Sequence, residues 1–209
     1  MNFLKNKIKI ILKGHGGFYS KMNKKRIFIA VPIPPKIKEA ILNLKKKEPF
    51  SRINCRFTKK ENLHITILFL GNLEVAQLPL LSQITHQVVE KFLKEKEKEV
   101  FLKQVCFGPF SKPRMIWVIG ESEILKKLSE KLKEELEKNQ IPFKNKEREF
   151  LLHITVARFQ KGVVLPKELK NFSLKVGWKF PLKKIQIMES ILKPRSQPEY
   201  IVLEEIPFL

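Results

Sequence analysis

The sequence predicts a mixed fold of strands and helices that is built from two related lobes. The tripeptide His-Ile-Thr occurs twice, beginning at His64 and at His153, each time within an apolar, β-branched stretch that is typical of a strand. The same order of elements (a strand, a helix and a connection) precedes both tripeptides. Ile29 lies 35 residues before His64, and Trp117 lies 36 residues before His153. This near-equal spacing indicates an internal duplication, which places the two tripeptides at equivalent positions of two lobes.

The first lobe begins with an apolar strand over 26–31. A helix follows from Pro34 or Pro35 to Lys47, because proline suits the first turn of a helix and apolar residues recur behind it at helical spacing. Two further strands are predicted, over 53–57 and 62–71, and Gly71 ends the second of them.

A second helix is predicted over 74–97, with Pro79 acceptable only near its beginning. His86 lies off the apolar face of this helix, so we interpret it as a solvated residue. A strand over 100–107 comes next. The pattern then restarts with a strand over 114–119, an amphipathic helix over 123–138 and the second His-Ile-Thr strand over 150–158. A short helix over 166–169 and three strands, over 172–180, 184–190 and 199–205, complete the chain.

Length and hydropathy indicate a globular protein. The chain has 209 residues, of which 43% are apolar, enough for a sizeable core. No apolar run approaches the roughly 18 residues of a membrane span, and the apolar stretch near the N-terminus is too short for a signal peptide. We therefore expect a cytoplasmic protein that does not bind membranes. Residues 1–25 are interpreted as a basic extension, and residues 26–209 as a single bilobal domain.

The net charge of +21 favours a polyanionic partner, because lysine-rich surfaces attract phosphate backbones. Only seven of the 42 basic residues are arginine, and the chain is also rich in isoleucine and asparagine. An AT-rich genome produces the same bias, so the charge supports a nucleic acid as substrate only weakly.

Several kinds of site are excluded by composition. The sequence contains no aspartate, which removes a Ser-His-Asp triad and an aspartate-based magnesium site. Cys55 and Cys106 are isolated, so they are interpreted as reduced thiols rather than zinc ligands. No glycine-rich phosphate-binding loop occurs. We expect neither a metal nor a cofactor.

The two repeated segments carry groups suited to acid–base chemistry on a phosphate. Side chains alternate along a strand, so each histidine shares a face with the threonine two residues later. Two imidazoles on one phosphate can act as acid and base, because the unperturbed pKa of histidine is about 6.5. This chemistry suits the opening of a strained cyclic phosphodiester, whose alkoxide leaving group needs a proton. The threonine hydroxyls can donate hydrogen bonds to the nonbridging phosphate oxygens.

The two His-x-Thr-x windows, 89 residues apart, resemble the paired signature of the two-histidine (2H) phosphoesterase superfamily. Within it, the chain is most similar to the RNA 2′,3′-cyclic phosphodiesterases, also called 2′-5′ RNA ligases. Three further blocks carry the resemblance in the same order: 26–31, 108–117 and 185–200. The resemblance implies an α+β fold that is bilobal, with two pseudo-symmetric, antiparallel-rich sheets around a central cleft and helices outside.

The resemblance also implies hydrolysis of 2′,3′-cyclic phosphate ends of RNA to 2′-phosphates, without metal or cofactor, and reverse 2′-5′ ligation in the same site. By motif position, His64 is the proton donor and His153 the proton acceptor. The residues expected to bind phosphate or other parts of the substrate are Thr66, Thr155, Arg158, Phe69 and Arg114.

Three features depart from the family pattern. Leu152 stands where proline is common, which changes the entry to the strand but no chemistry. Met188 and Glu189 replace a frequent aromatic–polar pair, with consequences for base stacking. Arg158 has strand parity opposite to His153, so it reaches the cleft only where the strand ends or contains a bulge.

Two other functions are open at this point. A non-catalytic RNA-binding protein would use the basic surface and aromatic residues such as Phe57, Phe69 and Phe107, although such residues are more often core. A two-histidine metal site is disfavoured, because no acidic or thiol ligand accompanies the motifs. The RNA itself is not specified: tRNA fragments, other RNA ends and small cyclic nucleotides all fit. We expect a monomer.

Overall fold

The computed structural model describes residues 23–95 and 98–208. Most of the predicted extension, residues 1–22, lies outside the described residues. The first strand begins at Lys24, two residues earlier than predicted. Within the described residues the chain forms nine strands: β1 (Lys24–Pro32), β2 (Cys55–Phe57), β3 (His64–Glu74), β4 (Glu99–Gly108), β5 (Met115–Glu121), β6 (His153–Phe159), β7 (Ser173–Pro181), β8 (Lys184–Ile191) and β9 (Glu199–Pro207).

The strands form two antiparallel sheets. The first has the order β3-β1-β8-β9, and the second has the order β2-β6-β5-β4-β7. The chain therefore crosses to the second sheet at β2, returns for β3, and closes the first sheet with its last two strands. With three α-helices, α1 (Pro35–Asn43), α2 (Leu78–Phe92) and α3 (Glu123–Lys138), this arrangement confirms the predicted α+β fold with two antiparallel sheets.

The helices differ in how closely they follow the sequence pattern. The bounds of α3 match the prediction, because its apolar stripe is continuous and fully buried. The prediction for α2 was too long at both ends. A separate single turn over 75–77, capped by the side chains of Glu74 and Gln77, precedes the helix, and the helix ends at Phe92. His86 contacts Glu204 of β9 through its Nε2, at 2.9 Å from a carboxylate oxygen, and is about half exposed.

The main core lies on one face of each sheet. It includes Ile27 and Ile29 of β1 and Ile116 and Val118 of β5, together with the apolar stripes of the helices. The opposite face of each sheet carries residues that line a shared cavity, and we call these the cleft faces. Among the described residues, no helix has the length and apolarity needed to cross a membrane.

Candidate active site

The His-Ile-Thr segments are the first residues of β3 and β6, and each presents its histidine and threonine on the cleft face. The isoleucines between them, Ile65 and Ile154, are fully buried in the core, because successive side chains of a strand point to opposite faces. Four polar side chains from the two sheets line one cavity of about 430 Å³: His64, Thr66, His153 and Thr155.

The two imidazole rings are oriented in the same way. Nδ1 of His64 lies 2.8 Å from the Asn62 carbonyl oxygen, and Nδ1 of His153 lies 2.9 Å from the Leu151 carbonyl oxygen. A carbonyl only accepts hydrogen bonds, so each Nδ1 carries a proton and donates it. Nε2 of each ring is left for proton transfer. Nε2 of His64 also lies 3.0 Å from the Thr66 hydroxyl, which can donate to the neutral ring.

Both histidines favour the neutral state. Burial lowers the pKa of His64 from 6.5 to about 4; the Asn62 carbonyl opposes this shift, and the positive charges of His153, Lys38 and Arg158 add to it. Burial also lowers the pKa of His153. An anion between the rings would raise both pKa values, because a nearby opposite charge favours the protonated form.

A β-bulge follows the threonine in each motif strand. In β6 the register shifts at Val156, so that Trp117 pairs with Thr155 but Ile116 pairs with Ala157. The extra residue reverses the strand parity and places Arg158 on the cleft face, where it lines the cavity. The condition predicted for Arg158 is therefore met by a bulge.

The first motif strand, β3, also contains a β-bulge. The register of β3 shifts at Ile67, since Ala30 pairs with Thr66 and Ile29 pairs with Leu68. Phe69 consequently shares the cleft face with Thr66 and lines the cavity. Phe69 and Arg158 thus occupy equivalent positions of the two lobes, each five residues after its histidine.

Arg114 is not brought to the cavity. It lies on the turn between β4 and β5, where its N–H donates to the Gly108 carbonyl and its own carbonyl accepts from the Phe159 N–H. Its side chain does not line the cavity, because the next residue, Met115, takes the cleft-face position opposite Arg158.

Different aromatic rings surround the two histidines. Phe28 and Tyr200 pack on His64, with ring centroids 5.0 and 5.2 Å away, and the Tyr200 ring meets the imidazole edge-on. Trp117 packs on His153 at 4.6 Å. Phe28 and Trp117 belong to strands that pair with the motif strands, whereas Tyr200 belongs to β9 at the opposite edge of the first sheet from β3. These contacts limit the rotation of the imidazoles.

The other departures from the family pattern have little effect on the cavity. Met188 packs beside Phe28 and Ala30 on the cleft face but does not line the cavity. Glu189 forms a salt bridge of 2.6 Å with Lys25. Leu152 is buried in the core.

Sequence reasoning missed most of the wall of the cavity. The missed lining residues come from β1, β2, the loops and the last strands: Arg26, Phe28, Arg56, Thr58, Asn62, Asn145, Ser190, Leu192, Gln197, Pro198 and Tyr200. Strand alternation could have suggested Phe28: it shares a face of β1 with Ala30, which pairs with Thr66 of the first motif. Nothing local in the sequence indicates that Arg56 and Gln197 line one cavity: the pairing of β2 with β6 brings Arg56 there, and the loop before β9 brings Gln197.

Within residues 23–95 and 98–208, no group of three or more histidine, cysteine or acidic side chains is arranged to hold a metal ion.

Comparison with known proteins identifies relatives along most of the chain. A family model described as LigT like Phosphoesterase matches residues 31–117. The RNA 2′,3′-cyclic phosphodiesterase of Methanocaldococcus jannaschii is 32% identical over 189 residues, which cover 86% of this chain and 99% of that protein. The protein of the same name from Archaeoglobus fulgidus is 26% identical over 186 residues, covering 82% and 94% of the two chains.

Solved structures share the fold. The protein TT0787 of Thermus thermophilus has a TM-score of 0.72 at 24% identity, covering 88% of this chain and 97% of that one. Escherichia coli LigT in complex with 3′-AMP has a TM-score of 0.67 at 22% identity, covering 88% and 98%. Together with the archaeal relative that aligns over nearly its whole length, these matches show that the chain belongs to the LigT-like phosphoesterase family of the 2H phosphoesterase superfamily.

Proposed function

We propose that this protein hydrolyses the 2′,3′-cyclic phosphate ends of RNA to 2′-phosphates. The observation that carries the proposal is the single cavity in which both His-x-Thr pairs lie on opposing walls, one from each sheet. The names of the relatives support the reaction: three aligned proteins are each called RNA 2′,3′-cyclic phosphodiesterase. The 3′-AMP complex of Escherichia coli LigT is consistent with a nucleotide in this fold.

The proposed reaction needs two proton transfers. Nε2 of neutral His153 takes a proton from water, whose oxygen attacks the phosphorus. The bond between phosphorus and O3′ breaks, and protonated His64 gives its Nε2 proton to O3′. The product carries a 2′-phosphate and a free 3′-hydroxyl. In this scheme the carbonyls of Asn62 and Leu151 hold the rings in orientation through Nδ1.

The substrate supplies the negative charge that favours the protonated form of His64. His64 with a pKa of about 4 is neutral at pH 7. A cyclic phosphate brings one negative charge between the rings, and this charge raises the pKa of His64 toward the protonated form that a proton donor needs. The hydroxyls of Thr66 and Thr155 donate to the nonbridging oxygens, and Arg158 adds positive charge.

Neither transfer passes through a metal, so we propose a reaction that is insensitive to chelators. The same groups can run the reverse chemistry, in which a 5′-hydroxyl attacks the cyclic phosphate and forms a 2′-5′ linkage. Water is far more concentrated than RNA ends, so hydrolysis dominates. Every group in the scheme comes from one chain, and we propose that the monomer is the active unit.

The second candidate function is RNA binding without catalysis. The net charge of +21 and the placement of Arg26 over the Phe69 ring, 4.8 Å from its centroid, favour affinity for nucleic acid. This candidate predicts RNA binding that survives replacement of both histidines and no turnover in the natural protein.

Product analysis separates the two functions. Oligonucleotides of several lengths and small cyclic nucleotides, each with a 2′,3′-cyclic phosphate, are incubated with the protein in the presence of EDTA. We expect ring opening to a 2′-phosphate, identified by its mass and by its resistance to a 3′-specific phosphatase. Binding of these RNAs without any ring opening would overturn the phosphodiesterase proposal, and loss of turnover in EDTA would overturn the metal-free mechanism. The relative rates with the oligonucleotides and with the small cyclic nucleotides show which class of end is preferred.

A further inference from the structure

Two arginines stand side by side on one wall of the cavity. Arg56 of β2 pairs directly with Arg158 of β6, and both line the cavity. Directly opposed residues of neighbouring strands share a face and have Cβ atoms about 4.5–5.5 Å apart, a distance at which like charges destabilise the sheet. The two arginines therefore form a positively charged patch, which we call the arginine pair.

No acidic group neutralises the arginine pair within the described part of the chain. Neither guanidinium lies within salt-bridge distance of a carboxylate there. Nη1 of Arg158 donates to the thioether sulfur of Met115 at 2.8 Å, which is a weak acceptor. Burial lowers the pKa of Arg158; the Tyr200 phenol opposes this, and the nearby charges of Arg114 and Arg56 add to it. The pair thus lacks the anion that would favour its charge.

The strand that carries Arg56 is held in place from both sides. The Thr58 N–H and hydroxyl donate to the carbonyls of Val156 and Thr155, each at 2.8 Å. The side-chain amide of Gln197 donates to the Phe57 carbonyl at 2.6 Å and accepts from the Lys59 N–H at 3.0 Å. The backbone that carries Arg56 is therefore ordered before an anion binds, and binding has to order only the exposed arginine side chain.

The rest of the cavity shows which anion fits. The opposite wall carries the aromatic rings of Phe28, Phe69 and Tyr200, with Arg26 stacked over Phe69, and these flat groups suit the stacking of a base. The arginine pair lies toward β2, an edge strand of its sheet, so a chain bound there can continue past the edge. The terminal nucleotide of an RNA has one anionic group besides its cyclic phosphate, namely the phosphate on its 5′ carbon.

We infer that Arg56, with Arg158 beside it, binds the phosphate on the 5′ side of the nucleoside that carries the cyclic end. The inference rests on the proposed function and narrows it: the substrate is the end of an RNA chain, or a nucleotide with a 5′-phosphate. Nucleoside 2′,3′-cyclic phosphates with a free 5′-hydroxyl are poor substrates by comparison.

The test compares two small substrates that differ in one group, a nucleoside 2′,3′-cyclic phosphate with and without a 5′-phosphate. For the natural protein we expect kcat/KM to be about 10- to 100-fold higher with the 5′-phosphate, the value of one charge-assisted hydrogen bond. Arg56→Met should bring this ratio close to one. Arg52→Met is the matched control: it removes the same charge four residues earlier, at an exposed side chain that pairs with Glu48, and should keep the ratio.

The outcomes separate the two proposals. Hydrolysis of both substrates with equal kcat/KM in the natural protein would overturn the arginine pair as a phosphate site and leave the phosphodiesterase intact. If neither is hydrolysed, the cyclic-ended oligonucleotides decide the proposed function, and absence of ring opening there would overturn it. In that case calorimetric binding of the two matching nucleoside 2′-phosphates decides the inference, and equal affinities would overturn it. The thermal midpoint of Arg56→Met shows whether the variant folds, and we expect it to be unchanged or raised, since a repulsion is removed.

Discussion

The two lobes carry the same motif in contrasting surroundings. In both, a histidine and a threonine precede a bulge, and the residue five positions after the histidine returns to the cleft face. That residue is Phe69 in the first lobe and Arg158 in the second. Phe28 and Tyr200 pack on His64, whereas Trp117 packs on His153 and the arginine pair lines the cavity on the same sheet. The strands therefore place the two histidines similarly, and the lobes differ in the residues that follow and surround them.

The same contrast affects the protonation of the rings. Both imidazoles donate through Nδ1 to the carbonyl two residues earlier, so their tautomers match. The pKa of His64 falls to about 4, chiefly through burial, although the resemblance assigns His64 as the proton donor. The acid–base assignment therefore depends on the negative charge of the substrate, which raises the pKa of the donor ring.

The largest expected effect comes from removing either ring. His64→Ala and His153→Ala should each lower kcat/KM by about 10²- to 10⁴-fold, the contribution of a positioned acid or base. Steady-state hydrolysis of a cyclic-ended oligonucleotide measures the loss. His86→Ala is the control, because this histidine lies outside the cavity against Glu204, and it should retain full activity. A large loss in only one of the two variants would contradict a mechanism that uses both lobes.

A second prediction concerns stability in acid and distinguishes His64 from the rest of the fold. Its pKa of about 4 in the folded protein lies below 6.5, so the unfolded chain binds more protons between these values. The resulting stability is fully present above pH 6.5 and is lost as the pH falls toward 4. The loss is at most about 3 kcal/mol, because part of the ring remains accessible from the cavity.

Denaturant unfolding at several pH values measures this contribution. Other groups also titrate in the window, so the readout is the difference between the natural protein and His64→Gln, which keeps a donor for the Asn62 carbonyl. We expect the variant to lose less stability than the natural protein between pH 6.5 and 4. Parallel curves for the natural protein and His64→Gln would show that burial does not depress the pKa of this histidine.

The contrast between lobes also shows what can be read from a sequence. The amphipathic stripe of α3 fixes both of its ends, and strand alternation puts each histidine with its threonine. These signals are local, because they depend on residues a few positions apart. The beginning of α2 was placed too early, since the turn capped by Glu74 and Gln77 has the same composition as a helical start.

Pairing between strands that are distant in the sequence accounts for the features of the cavity that local patterns do not predict. Arg56 and Arg158 are 102 positions apart and meet only because β2 joins the edge of β6. Tyr200 belongs to the last strand, at the opposite edge of the first sheet from β3, yet its ring packs on both Phe28 and His64. Strand parity alone would put Arg158 in the core, and one extra residue at Val156 reverses that outcome. The motif predicts the residues at the centre of the cavity, while strand pairing over long sequence distances determines which other residues line it.

Replacing Arg158 tests the cationic lobe directly. Arg158→Met should lower kcat/KM by about 10- to 100-fold, through the loss of charged hydrogen bonds to the substrate. Methionine keeps an unbranched apolar chain beside Met115, so the packing of the strand is retained. Arg114→Met is a matched control that removes an equal charge from a side chain outside the cavity. An equal loss in both variants would mean that general positive charge, rather than a cleft-face contact, drives the effect.

The smallest expected effect compares the two threonines. The Thr66 hydroxyl lies 3.0 Å from Nε2 of His64, so it can orient the ring as well as bind phosphate. Thr155 makes no such contact among the described residues, and its carbonyl, which accepts from the Thr58 hydroxyl, is unaffected by replacement of the side chain. Thr66→Val should therefore lower kcat/KM by about tenfold and Thr155→Val by about threefold, within the range of one neutral hydrogen bond. Equal losses would show that the contact between Thr66 and His64 adds nothing to catalysis, and that the two lobes bind the phosphate oxygens symmetrically.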